Sequence, residues 1–254
     1  MLREERLRFI LNKLQQNTRV TSAGLSSELS VSDDTIRRDL NELAAQGLLR
    51  KVHGGALPRR AIPDADSPKD YYGRLRYAQA GKHVLAQKAL SLLRPEMIII
   101  LDGGTTNLEV ARLLPPDFSA IVYTNSFPIV GELISRSEVQ IEFLGGTVSR
   151  HSQVAVGHYG GKGLSHVRAD VLLLGARSVH PEVGITVHER EEARLKRKMV
   201  ARSSRVVLPV TREKLNTASH YNVCDIMSID TLITEEKVPE EEIAPYRELG
   251  IALL

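Results

Sequence analysis

The stretch Asp102-Gly103-Gly104-Thr105-Thr106 follows an apolar run at residues 97–101 and opens residues 107–114, which have helical spacing. Two glycines permit a tight turn with exposed N–H groups, and Thr105 or Thr106 can cap the helix that starts there. A helix N-terminus with free amides, a positive dipole end and nearby hydroxyls suits a phosphate. The plainer alternative is that Gly103 and Gly104 only make the turn and Thr105 only caps it. The motif is neither Gly-x-Gly-x-x-Gly nor a Walker P-loop, whose lysine it lacks, so its neighbours must decide.

Those neighbours are other strand ends. Short apolar runs, "MIIILD", "AIVYTN", "VQIEFLGG", "VLLLGA", "RVVLPV", "TLIT" and "IALL", alternate with helical stretches from residue 73 to residue 254. Near-continuous apolar strands separated by helices predict an α/β class, with an open parallel sheet covered on both faces. Ligands of such sheets bind outside the carboxyl ends of the strands. Beyond the first run come Gly103 and Gly104, beyond the second Thr124 and Asn125, beyond the third Gly145 and Gly146, and beyond the fourth Gly175, Ala176 and Arg177. Small and hydroxyl- or amide-bearing residues thus converge on one predicted polar pocket. Arg177 and Arg212 read as solvent-facing side chains, with a second anionic group on the ligand as the alternative.

Catalysis finds less support. Acid–base turnover of a ligand held at this turn needs a positioned acid and base. Asp102 is a candidate base, but no catalytic pair follows from spacing. Glu191, Glu192, Lys196 and Lys198 share one helix and read as exposed i,i+4 pairs. His188-Glu189 is not followed by the second His of a zinc motif, and Cys224 has no cysteine partner. No catalytic residue, metal or cofactor is expected. The lone cysteine, the absence of a leader pattern and the lack of an apolar run near ~20 residues predict a cytoplasmic protein with no membrane partner.

At 254 residues, with 42% hydrophobic and 26% charged residues, the chain has globular composition and room for two domains. Residues 1–60 carry a net charge of +4 and the remainder −1. Leu7, Ile10, Leu11 and Leu14 predict a first helix; Thr21, Leu25 and Leu29 a short second one. A third is predicted from Ser32, with Ile36, Leu40 and Leu43 inward. Ser32, Thr35, Arg37, Arg38 and Asn41 then face outward, a set able to meet phosphates and base edges in a major groove. The alternating apolar and basic residues of "LLRKVHGGALPRR" predict a hairpin wing, with Lys51 among its backbone contacts. We place this domain at residues 1–57, a Pro-rich and charged linker at 58–72, and the α/β domain at 73–254.

"TIRRDLNELAAQGLLRKVHGGA" closely resembles the winged helix-turn-helix signature of the DeoR family of bacterial transcriptional regulators. The resemblance continues through "LDGGTT", "TNS", "LGGTVS", "REKLN" and "DTLIT", and covers most of the chain. It implies operator binding, with Arg37 and Arg38 on the family's paired arginines and His53 on the wing. It also implies a sensor domain similar in fold to ribose-phosphate isomerases that binds a phosphorylated sugar or related intermediate. Gly103, Gly104, Thr105 and Thr106 would hold the phosphate, with Asp102, Asn125, Gly146 and Lys214 near the rest of the effector. One departure is Thr211, where family members often have an acidic residue. The expected function is a carbohydrate-operon repressor acting as a homodimer or homotetramer, because a single winged helix reads a short site. The alternative is an isomerase-like enzyme with an appended DNA-binding domain.

Overall fold

The computed structural model of the chain describes residues 3–16, 20–46, 48–52, 54–58 and 64–254. The chain forms two compact units, residues 1–62 and 63–254. Among the described residues no helix is long and apolar enough to cross a membrane.

The first unit runs α1 (Arg3–Gln16), β1 (Val20–Thr21), α2 (Ser22–Leu29), α3 (Asp33–Ala45), β2 (Leu49–Val52) and β3 (Gly55–Pro58). Thr21 caps α2 by accepting from the Gly24 amide at 3.1 Å, and Ser32 caps α3 by accepting from that of Thr35 at 3.3 Å. Ile10, Leu14, Leu25, Ile36, Leu40 and Leu43 form its core. The hairpin wing gains a third strand that has no sequence signal, because β1 is only two residues long and pairs with β3 antiparallel. On α3 the core stripe includes a charge: Asp39 is 3% exposed and receives both Nε (2.5 Å) and an Nη (3.0 Å) of Arg6 from α1. This fork fixes the rotation of α3 against α1, and so which residues of α3 face out.

The second unit begins with an extended stretch from residue 64, then α4 (Tyr71–Arg76) and α5 (Gln79–Leu90). It continues through β4 (Ile98–Leu101), α6 (Thr105–Leu113), β5 (Ala120–Thr124), α7 (Phe127–Leu133), β6 (Val139–Phe143), β7 (Thr147–Ser149), β8 (Val154–Val156) and α8 (His158–Gly163). Then come β9 (Val171–Leu173), β10 (Ser178–His180), β11 (Gly184–Val187), α9 (Arg190–Ala201), β12 (Val206–Pro209), β13 (Tyr221–Cys224), β14 (Thr231–Ile233), α10 (Glu240–Glu248) and β15 (Ala252–Leu253). Seven of these strands form one sheet in the order β15-β14-β12-β9-β4-β5-β6, parallel throughout. Alternate residues serve opposite faces: Ile99 and Leu101 join one core, Ile100 the other. The chain leaves β4 for β5 and β6 on one side and returns to β9 on the other. The crevice between β4 and β9 is therefore a topological switch point.

Residues 64–72 depart from the linker expectation. Ala65 and Tyr71 are buried in the second unit, and Arg177 donates to the carbonyls of Ala65, Ser67 and Pro68. This stretch is ordered by polar groups reaching it from the sheet, so it lacks the apolar periodicity that marks packed segments. Residues 59–63 of the expected linker lie outside the described residues.

Replacing Asp39 by Ala leaves the part-buried Arg6 guanidinium without its partner. We expect a loss of about 3 kcal/mol from the first unit, read as an earlier urea transition reported by helix content, with the second unit's transition unmoved. An unchanged first transition would mean that the pair is effectively solvated.

Candidate functional site

Two surfaces bring together the residues singled out from sequence. On the first unit, Arg37, Arg38 and Asn41 project from α3 into solvent, and Ser32 and Thr35 sit at its first turn with their hydroxyls 2.9 Å apart. Lys51 on β2 donates to Asn41 Oδ1 at 2.6 Å, which ties the wing to the helix face. Among the described residues Arg37 and Arg38 have no hydrogen-bond or ion-pair partner. His53 lies outside the described residues.

The second surface is a cleft of about 700 Å³, counted to its open mouth, at the switch point. Its floor is made where β4 and β9 end. A Cβ on Gly175 would lie 2.5 Å from the Gly103 carbonyl, so only glycine permits these two strand ends to meet. Gly104 has φ +154° and N-caps α6 with no side-chain hydrogen bond. The capping role expected of Thr105 or Thr106 is therefore wrong. The helix begins one residue earlier, on a glycine, so both threonine hydroxyls remain unspent: neither has a partner among the described residues, and both side chains line the cleft. The first amides of α6 likewise have no acceptor within the helix.

Asp102 does not face the cleft. It is fully buried beneath the turn, with Oδ1 accepting from the Gly103 amide (2.8 Å) and Oδ2 from the Gly175 amide (2.8 Å) and from Lys196 Nζ. Lys196, 1% exposed, also donates to the Gly175 carbonyl at 3.0 Å and pairs with Glu192 at 3.2 Å. Burial opposes its charge, but Asp102 and Glu192 outweigh that and hold the ammonium above the ordinary lysine range. The expectation of exposed pairs on this helix fails for Lys196 and Glu192. Lys196 lies three residues after buried Ala193 and three before buried Met199, on the inward stripe of α9. That spacing is the signal in the sequence that marks it as buried.

Asn125 and the glycine pair after β6 also take structural positions. Asn125 supports the turn, accepting from the Gly103 amide at 3.1 Å and donating to the Ala155 carbonyl at 3.0 Å. Gly145 and Gly146 are not among the cleft-lining residues; a Cβ on Gly146 would meet the Val156 carbonyl at 2.2 Å, so it serves the β7–β8 hairpin. Lys214 does line the cleft. Burial, then the nearby charges of Lys82, Arg74 and Arg177, push it down to about 8 against the opposing pull of Glu213. Thr211 is fully buried and donates to Glu213 Oε1 at 2.5 Å, so a carboxylate stands beside Lys214 although position 211 has none.

Other cleft residues have no sequence signal of their own: Arg74, Asn107, His151, Ser152 and His188. Arg177, expected to face solvent, is 7% exposed and lines the cleft, whereas Arg212 is exposed and pairs with Glu242 at 2.6 Å. Asn107 Nδ2 donates to the carbonyls of Asp102 and Leu173, both at 2.9 Å, while its buried Oδ1 has no partner among the described residues.

Comparison with known proteins gives matches along most of the chain. Residues 6–59 match the family model of the DeoR-like helix-turn-helix domain, and residues 78–236 that of the DeoR C terminal sensor domain. The chain is 32% identical over 236 residues to the HTH-type transcriptional repressor GlcR of Bacillus subtilis (strain 168), covering 92% of this chain and 89% of that protein. It is 30% identical over 255 residues to the HTH-type transcriptional regulator GlpR of Haloferax volcanii, covering 100% and 98%. It is 29% identical over 237 residues to the L-fucose operon activator of Escherichia coli (strain K12), covering 93% and 96%.

Lys196→Met removes the only ammonium bonded to buried Asp102 among the described residues. A buried pair broken from one side costs about 3–5 kcal/mol, so this variant should unfold at clearly lower urea. Adding Asp102→Asn should return part of the loss. If the two effects simply add, the residues are not coupled.

Proposed function

The chain belongs to the DeoR family of transcriptional regulators, and from that premise we propose that it represses a carbohydrate catabolic operon and leaves its operator when a phosphorylated sugar fills the cleft at the α6 N-terminus. The observation that carries this reading is a pair of uncommitted hydroxyls, Thr105 and Thr106, beside the free amides of a nine-residue helix. Lys214 lines the same cleft. Amides, hydroxyls and an ammonium are donors without acceptors, the complement of a phosphate monoester.

Binding without conversion fits the state of Asp102. A general base needs a lone pair open to substrate, and both oxygens of Asp102 are taken up by two amides and Lys196 beneath the floor. The exposed, unpartnered Arg37 and Arg38 suit phosphate and base contacts in a major groove. One such helix reads a short site, so we propose a homodimer or homotetramer on paired half-sites. The effector must bind the DNA-free arrangement more tightly, because equal affinity shifts nothing.

A thermal-shift panel of sugar phosphates and free sugars, followed by operator release with each hit, tests the reading. A phosphorylated hit should release DNA, and no hit should turn over; steady isomerisation lost in Asp102→Asn would establish the enzyme instead. Arg38→Ala should weaken operator binding by roughly 1–3 kcal/mol with the thermal shift intact, and Thr106→Val should do the reverse. Equal loss of both activities in either variant would refute its assignment.

Binding should also depend on pH. Burial pushes Lys214 down to about 8, so above that pH an anion must bind together with a proton. Affinity should then fall by up to about tenfold per pH unit. Below about pH 6 the phosphate itself loses its second charge, which places the optimum between. A flat profile by calorimetry from about pH 7 to 9.5 would remove Lys214 from the contact.

A further inference from the structure

The stretch that follows the first unit is held with unusual completeness. Arg177 spends all five of its N–H groups on it: Nε on Asp64 Oδ1 (3.3 Å), one Nη on Ser67 Oγ (2.7 Å) and the Pro68 carbonyl (3.2 Å), the other on the carbonyls of Ala65 (2.6 Å) and Ser67 (3.0 Å). Helix α4 is then pinned at both ends. Asp70 caps its start by accepting from the Gly73 amide at 2.7 Å, and buried Lys82 donates to the carbonyls of Arg74 and Tyr77 at its end. Of the residues of this short helix, Arg74 is the one that lines the cleft.

Arg74 is half-buried, and its guanidinium donates to the Lys69 carbonyl of its own segment. Among the described residues no carboxylate comes within ion-pair distance of Arg74 or of Lys214. Arg177 beside them is already saturated, and Lys196 is neutralised by Asp102 and Glu192. The cleft therefore holds two cations that burial penalises and that repel each other. Burial chiefly, and then Arg177, push Arg74 below the ordinary arginine range despite Glu192 nearby. A partly buried cation with no carboxylate in ion-pair contact is costly. It is retained where a counter-ion comes from outside the fold.

We propose that Arg74, carried into the cleft by the first segment of the second unit, is a ligand for the effector's anionic group, and that an anion bound between Arg74 and Lys214 fixes residues 64–77 against the rest of that unit. The proposal rests on the reading of the cleft as a phosphate site and adds to it a contact borne by the opening segment of the second unit. By linkage, whatever Arg74 contributes to anion affinity is the free energy with which the anion restrains the segment. Arg177 and Lys82 give the segment a fixed place to be held; Arg74 makes that place depend on the ligand.

The test uses the full chain with inorganic phosphate and ribose 5-phosphate as probes, and reads both affinity and hydrogen exchange of residues 64–77. In the wild type each probe should slow exchange there. Arg74→Met keeps much of the apolar stem, and should bind both probes on the order of tenfold or more weakly, with no slowing of exchange at 64–77. Without a probe it should melt no lower than the wild type, because a repelling charge has been removed. Arg74→Lys should bind with intermediate affinity. Wild-type affinity in Arg74→Met overturns the contact. Arg74-dependent binding that leaves exchange at 64–77 unchanged overturns the coupling. A fall in the probe-free melting temperature of Arg74→Met with affinity intact assigns Arg74 to holding Lys69 alone. If neither probe binds the wild type, the phosphate reading fails and takes this proposal with it, a result distinct from the other three.

Discussion

The ion pair between Lys196 and Asp102 is the interaction on which the second unit's site depends. It lies under the switch point, where β4 and β9 end side by side, and Asp102 takes the amides of both following turns, Gly103 and Gly175. Without the ammonium, a carboxylate at 0% exposure would be untenable. Without the carboxylate, the two glycine turns would lose the acceptor that draws them together. The site's shape is thus set from beneath by charges that no ligand touches. This leaves the first amides of α6 and the two threonine hydroxyls free of structural duty.

The contrast between buried charges in this unit is informative. Lys196 is buried and neutralised; Arg177 is buried and saturated by carbonyls and Asp64. Both hold the scaffold. Arg74 and Lys214 are also withdrawn from solvent, yet no carboxylate pairs with either among the described residues. A fold that can satisfy two cations so fully has no general difficulty in supplying partners. The absence of carboxylate partners at the other two is therefore local to the cleft among the described residues, and it coincides with the free end of α6. In a ligand-binding site such residual cost is normal, because it is recovered only when the ligand arrives.

How much of this is legible in the sequence follows from which forces leave a pattern. Every apolar run from "MIIILD" to "IALL" forms a strand of the parallel sheet, because strands buried on both faces must be apolar throughout. The small antiparallel sheet β10-β11-β13 leaves no such trace, since its strands are three or four residues long and broken by polar side chains. Residues 64–72 look like linker because hydrogen bonds from one arginine, rather than apolar packing, order most of them. Lys196 reads as exposed when charge alone is weighed, although its position on the inward stripe of α9 says otherwise. Thr105 and Thr106 do sit at the proposed phosphate turn, but in a different role from the one expected. A glycine caps the helix, and that is why their hydroxyls are available.

Energetic scale connects the proposed ligand contact to the proposed assembly. A hydrogen bond to a charged group is worth about 1.5–3 kcal/mol, which shifts an equilibrium by roughly 10- to 100-fold. Moving a regulator from almost fully bound to almost fully free takes about 5.5 kcal/mol. One arginine gripping one phosphate in one chain therefore falls short of a complete switch. Two chains on one operator, each restrained at its own segment 64–77, reach that scale if both must change together. On this reasoning the proposed oligomerisation would do more than lengthen the DNA site: it would sum two modest local events into one decisive one, and the proposed sensor need not be rebuilt around its ligand for the operator to be released.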